Sequence, residues 1–119
     1  MKIGKKLTGG KYIKQRKKKK YERIGQKRIV KLDEDKRKTV RTRGGNEKTF
    51  LLRGNTINVE KSGKKQNIKI DNVIKTPSNR FLARQNIITK GTIVETKLGQ
   101  VKVTNRPTQE GNINGVLIK

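Results

Sequence analysis

The chain is 119 residues long and carries 33 Lys and Arg against 9 Asp and Glu, a formal net charge of +24, with no Cys and no His. That length holds one core rather than two, and the missing thiols and imidazoles exclude disulfides, a thiolate nucleophile, the commonest general base near neutral pH and every Cys- or His-ligated metal site. The charge selects a polyanionic partner, nucleic acid or an anionic surface.

Hydrophobic residues make up 29% and charged residues 35%, so part of the chain is expected never to pack. Residues 1–28 hold 13 Lys and Arg and one Glu, net +12, and residues 29–119 hold 20 and 8, again net +12. In the first segment Ile3, Leu7, Tyr12, Ile13, Tyr21 and Ile24 keep neither a strand nor a helix period, and Gly4, Gly9, Gly10 and Gly25 interrupt any helix. Residues 1–27 are therefore predicted to be a basic arm, disordered when free, with a helical turn within 13–23 on binding. The run GGKYIKQRKKKKYERIG admits three readings: a nuclear-localisation-like label, a membrane-surface arm or a nucleic-acid arm. Its cations run through every helical face, unlike a membrane arm with one apolar side. Phosphate neutralisation by closely spaced flexible cations fits better.

From Arg28 onward the texture changes to short β-branched runs bounded by Gly, Asn and Asp. RIVKL (28–32) and RKTVRTR (37–43) flank the polar break DEDK and predict a hairpin, and KTFLLR (48–53) follows as the next strand. TINVE (56–60) faces QNIKI (66–70) across KSGKK, with Ile57, Val59, Ile68 and Ile70 alternating with polar residues. DNVIKT (71–76) ends at Pro77. Residues 78–89 lack a strand pattern, and RFLARQNI suits a short helix or an irregular strap. GTIVETK (91–97) meets QVKVT (100–104) across Leu98 and Gly99, and INGVLI (113–118) follows the PTQEG turn. Seven or eight short strands in about 90 residues predict an all-β domain, residues 28–119, closed into a small antiparallel barrel that hides its edges. The predicted core is Ile29, Val40, Phe50, Leu52, Ile57, Val59, Ile68, Ile70, Val73, Ile93, Val101, Val103, Val116 and Ile118.

Asp33, Glu34 and Asp35 form the one acidic cluster, where a hydrated divalent ion or a solvated turn are the alternatives, and turn chemistry favours the second. No catalytic machinery is visible, so the expectation is a non-enzyme without cofactor or metal. The candidate RNA-binding residues of the arm are Lys5, Lys6, Lys11, Lys14, Arg16, Lys17, Lys18, Lys19, Lys20 and Arg23. In VRTRGGNEKTF, strand alternation places Arg41 and Arg43 on one face, and Gly44, Gly45 and Asn46 follow as a bend open to positive φ. Forked guanidiniums beside exposed amides suit an RNA phosphate, although an ordinary glycine turn with surface arginines reads the same way. RQNIITKG and TNRPTQEGN add Arg84, Asn86, Lys90 and Arg106 as weaker candidates.

The order TGGKYI, a Lys/Arg run, VRTRGGNEK and RQNIITKGTIVETKLGQVKVTNRPTQEGNINGVLI resembles the archaeal and eukaryotic small-subunit ribosomal protein family eight-e over nearly the whole chain. RTRGGN at 41–46 and NIITKGTIVETKLGQVKVTNRPTQEG at 86–111 carry it most specifically, segments 28–38 and 60–76 least, and the short length resembles the archaeal members. The resemblance implies a small barrel with a flexible basic arm, bound to small-subunit ribosomal RNA beside neighbouring ribosomal proteins in the cytoplasm, with RTRGGN among the RNA contacts. It implies no membrane, small-molecule or homo-oligomeric partner. The competing class is a free RNA chaperone or chromatin module with an oligonucleotide-binding-like barrel; a scaffold that binds protein alone fits the charge poorly.

Overall fold

The computed structural model describes residues 4–13, 15–61 and 63–118. Among these residues seven strands form in chain order: β1 (Lys36–Arg41), β2 (Glu47–Arg53), β3 (Thr56–Lys61), β4 (Lys64–Lys75), β5 (Ile93–Thr96), β6 (Gly99–Val103) and β7 (Asn114–Leu117). Two one-turn helices, α1 (Arg80–Arg84) and α2 (Pro107–Glu110), fill the connections after β4 and β6. The fold is thus all-β: β3-β4-β5-β6-β7 close into a barrel, and β1 and β2 make a separate two-stranded antiparallel sheet.

Barrel closure depends on one parallel pair. Asn58, Val59 and Glu60 of β3 pair in parallel with Asn114, Gly115 and Val116 of β7, while the other four pairings are antiparallel. Ile57 and Val59 point inward as their alternation requires, as do Val101 and Val103 of β6. In β4 the buried residues are Ile70 and Val73, three apart, and the ladder to β5 slips between Ile70 and Asn72 and again between Val73 and Lys75. A bulge of this kind turns one long strand around the barrel and resets which residues face in. The β5–β6 hairpin turns through Lys97 and Leu98, one residue earlier than the sequence indicates, with Thr96 paired to Gly99 and the Thr96 hydroxyl donating to the Gly99 carbonyl at 2.9 Å.

Four expected strands have their inner face out of phase with the sequence reading. Ile29, Val40, Val116 and Ile118 are exposed, Leu52, Ile68 and Ile93 are half-buried, and the core instead takes Val30, Leu51, Ile87, Ile88, Val94 and Ile113. In β2 Phe50 and Leu51 are both buried because both faces of the strand are covered: Leu51 enters the barrel core, and the Arg28 guanidinium lies over the Phe50 ring at 3.7 Å. In β7 the inward phase is Ile113, Gly115 and Leu117, and Gly115 leaves the apolar Val116 and Ile118 outside.

The segment 28–32 does not form the expected hairpin with β1. It threads as a strap between β2 and residues 86–88: Lys31 accepts from the Gly54 N–H at 3.1 Å, Leu32 N–H donates to Asn86 at 2.9 Å, and Ile88 N–H donates to Val30 at 2.9 Å. Val30, fully buried, is the anchor. The chain then turns through the acidic cluster, where the Asp33 and Asp35 carboxylates are absorbed locally. Asp35 accepts from the Asn55 N–H (3.0 Å) and the Thr56 hydroxyl (3.3 Å), and Asp33 pairs with Arg53 at 2.7 Å. These bonds hold the turn against the start of β3, so β1 leaves toward β2 instead. α2 packs against β2, and Arg37 Nε donates to the Gly111 carbonyl at 3.0 Å, which docks the β1–β2 hairpin on the barrel.

Candidate nucleic-acid interface

The arm is organised by local bonds among its own side chains and peptides. Lys5 and Lys11 form an antiparallel bridge around a turn in which Lys6 accepts from Gly9 N–H at 2.9 Å, and Lys6 Nζ lies 5.7 Å from the Tyr12 ring. Further along, Arg16 forks onto Glu22 with contacts of 2.9 and 2.6 Å, and the Lys19 N–H adds a third at 3.0 Å. Arg16 and that backbone N–H hold the Glu22 carboxyl below its ordinary pKa. This fork organises a single 3-10 turn, Lys20–Glu22, and leaves Lys17, Lys18, Lys19, Lys20 and Arg23 exposed around it. Arg16, expected on a phosphate, is occupied by Glu22; Lys14 lies outside the described residues.

The RTRGGN motif forms the tip of the β1–β2 hairpin. Arg41 ends β1 opposite Glu47, whereas Arg43 lies in the loop, so strand alternation does not set its direction. Thr42 clamps the loop, its N–H and hydroxyl both donating to the Asn46 carbonyl at 2.7 and 2.9 Å. Gly44 and Gly45 have φ of +86° and +84°, a conformation that L side chains rarely adopt. Arg43, Gly44, Gly45 and Asn46 therefore present an exposed cation beside exposed loop peptides.

The remaining candidates divide. Arg84 is exposed at the end of α1, and Asn86, at φ +52°, is the left-handed residue that ends this stretch and hands its carbonyl to Leu32. Its residue type is explained by that backbone. Lys90 and Arg106 instead meet, with Arg28, around a cleft of about 330 Å³ that Thr89, Thr108 and Gln109 also line. Sequence reasoning did not select Arg28, because residues 28, 90 and 106 share no spacing and only the fold unites them. A larger cleft, about 520 Å³, lies over the β3–β7 seam and is different in character. It is neutral, with Glu60 offsetting Lys65, and is crossed by a chain of amides from Asn67 to Asn58 to Asn114, each step 3.1 Å.

Among the described residues no group of three or more acidic side chains is placed to hold a metal ion, and no helix is long and apolar enough to cross a membrane. Fold and surface together define a small closed β-barrel carrying a cationic arm, a cationic hairpin tip and a cationic cleft. The family model described as ribosomal protein S8e matches residues 2–118, and the chain belongs to that family. Its relatives include proteins named small ribosomal subunit protein eS8. That of Nanoarchaeum equitans is 46% identical over 95% of this chain and 91% of the relative. Those of Methanosarcina barkeri and Staphylothermus marinus are 42% and 44% identical, each over 96% of this chain and 93% and 91% of theirs.

Proposed function

We propose that the protein is a structural constituent of the small ribosomal subunit, located on the ribosome in the cytoplasm, and that it binds and stabilises folded ribosomal RNA without catalysing a reaction. Membership of the S8e family supports the assignment, and one observation supports the mechanism. Half of the net charge of +24 lies on residues 1–28, the arm and Arg28, and the rest is spread over the strands and loops of residues 29–119, with three ion pairs among the described residues to absorb it. Cations on such an arm neutralise phosphates and release counterions, letting RNA helices approach one another. The barrel supplies the fixed part: Arg41, Arg43, Gly44, Gly45 and Asn46 at the hairpin tip, with Arg84, Lys90 and Arg106 on the other loops, dock on RNA by charge and shape. The arm, with Lys5, Lys6, Lys11, Lys17–Lys20 and Arg23, threads between helices and becomes ordered there. Arg16 joins them once its fork onto Glu22 opens.

The test is sedimentation of a lysate from the source cells through a gradient. The protein should travel with the small subunit and stay with it through a moderate salt wash. Recovery mainly in ribosome-free fractions would favour the RNA chaperone instead.

A further inference from the structure

We propose that the cleft where Arg28, Lys90 and Arg106 converge is a phosphate-binding site that takes one phosphodiester group of a folded RNA and so fixes the root of the arm against the barrel. The source of the phosphate, RNA rather than the free anion, rests on the function proposed above; the site itself rests on the geometry.

Three segments far apart in the chain bring their cations to this one cleft. Each is positioned without a carboxylate on its side-chain cation among the described residues. The Arg28 guanidinium stacks 3.7 Å above Phe50, which is itself buried. Stacking occupies the face of the guanidinium and leaves its N–H edge free to fork onto two oxygens. Lys90 sits in a turn fixed by Gly91 N–H donating to Val103 at 2.8 Å and by Thr89 N–H donating to the Thr92 hydroxyl at 3.0 Å. Arg106 precedes α2, and its carbonyl accepts from Gln109 and Glu110 N–H at 2.9 and 3.2 Å.

Among the described residues no carboxylate lines the cleft. The nearest in sequence, Glu110, accepts from the Asn105 amide at 2.9 Å and from the Arg106 backbone N–H at 3.5 Å, and leaves the Arg106 guanidinium without an ion pair. Arg16, Arg37 and Arg53 each have a carboxylate partner; Arg28, Lys90 and Arg106 have none among the described residues. Three like charges gathered without a counter-ion repel one another, and a bound anion removes that repulsion. Thr89, Thr108 and Gln109 supply neutral donors to complete its shell. Arg28 begins the strap that the buried Val30 anchors, so an anion gripped there sets the direction in which the arm leaves the barrel.

The experiment titrates inorganic phosphate into the full chain at constant ionic strength and follows backbone amide shifts. Saturating shifts are expected at Thr89, Lys90, Thr108 and Gln109, and weaker, non-saturating ones along the arm. Lys90→Gln and Arg106→Gln should each lower the affinity about tenfold, the scale of one charged hydrogen bond. Arg28→Lys, which keeps the charge and loses the stacked fork, should lower it comparably, with dispersed spectra showing each variant folded. Non-saturating shifts throughout, or unchanged affinity in all three variants, would overturn the site. A parallel titration with a small-subunit RNA fragment identifies the source. Loss of affinity in the same variants supports the phosphodiester, whereas saturable phosphate binding with undiminished RNA affinity would assign the cleft to a free anion and overturn the RNA half of the proposal. A chain that binds phosphate at the cleft yet no ribosomal RNA at all would refute the proposed function and leave the phosphate site standing.

Discussion

At Gly115 the barrel has no volume for a side chain: a Cβ there would overlap a Val101 methyl, lie 2.8 Å from the Ile57 Cδ1 and 3.0 Å from the Lys102 carbonyl. The close approach lets β7 lie in parallel against β3 and shut the barrel. Gly115→Ala is expected to destabilise the fold by about 1–3 kcal/mol through overpacking, read as a lower midpoint in chemical unfolding. A midpoint equal to the parent's would mean that this seam yields easily. In the arm, Glu22 gives a signal of opposite kind. Its pKa is lowered in the folded turn, so the turn's stabilisation is present above the ordinary glutamate pKa and is lost as pH falls through the lowered one. The Lys19 amide, which donates to this carboxylate, should titrate with a midpoint below 4.5, the ordinary glutamate value. A midpoint at or above that value would show that Arg16 does not hold Glu22 in solution.

Among the elements, the arm and the barrel strands do different work. Lys17, Lys18, Lys19 and Lys20 are exposed and lie outside the barrel strands and the buried core cluster. Replacing all four with Gln should lower the log-log salt slope of RNA binding by roughly 3 to 4 units, from about four lost phosphate contacts, while leaving the unfolding midpoint in place. An unchanged slope would make these lysines bystanders. Strands whose two faces differ were legible in the sequence: Ile57 and Val59 in β3, and Val101 and Val103 in β6, alternate with polar residues and point inward as read. Strands apolar on both phases were not. FLL in β2, TIV at the start of β5 and GVLI in β7 offer two inner faces, and tertiary cover decides between them. The strap at 28–32 was read as a hairpin strand because its partners, Asn86 and Ile88, lie far along the chain. The glycine bend of RTRGGN was legible, since two adjacent glycines mark the positive φ they adopt. The cleft was not, since its three cations meet only through the folding of the arm root, the β5 approach and the α2 turn.

As a whole molecule the protein is elongated, 70 × 36 × 25 Å with a radius of gyration of 21.2 Å, where a compact chain of this length would have about 13–14 Å. A barrel that anchors and an arm that reaches suit a partner with depth, such as packed RNA helices. Proteins that grip single strands without preference instead stack bases on aromatic platforms, worth about 1 to 3 kcal/mol per base. This chain has four rings: Tyr12 and Tyr21 lie in the arm under Lys6 and Lys19, Phe50 is buried under Arg28, and Phe81 alone is half exposed on the barrel domain. One barrel ring makes a poor platform, so the chain should prefer folded helical RNA, read through phosphates and shape. The direct measurement is a competition titration at physiological salt between a folded small-subunit ribosomal RNA fragment and poly-uridine of matched length. Displacement of the homopolymer by the folded fragment is the predicted result; equal affinity, or preference for poly-uridine, would contradict the account.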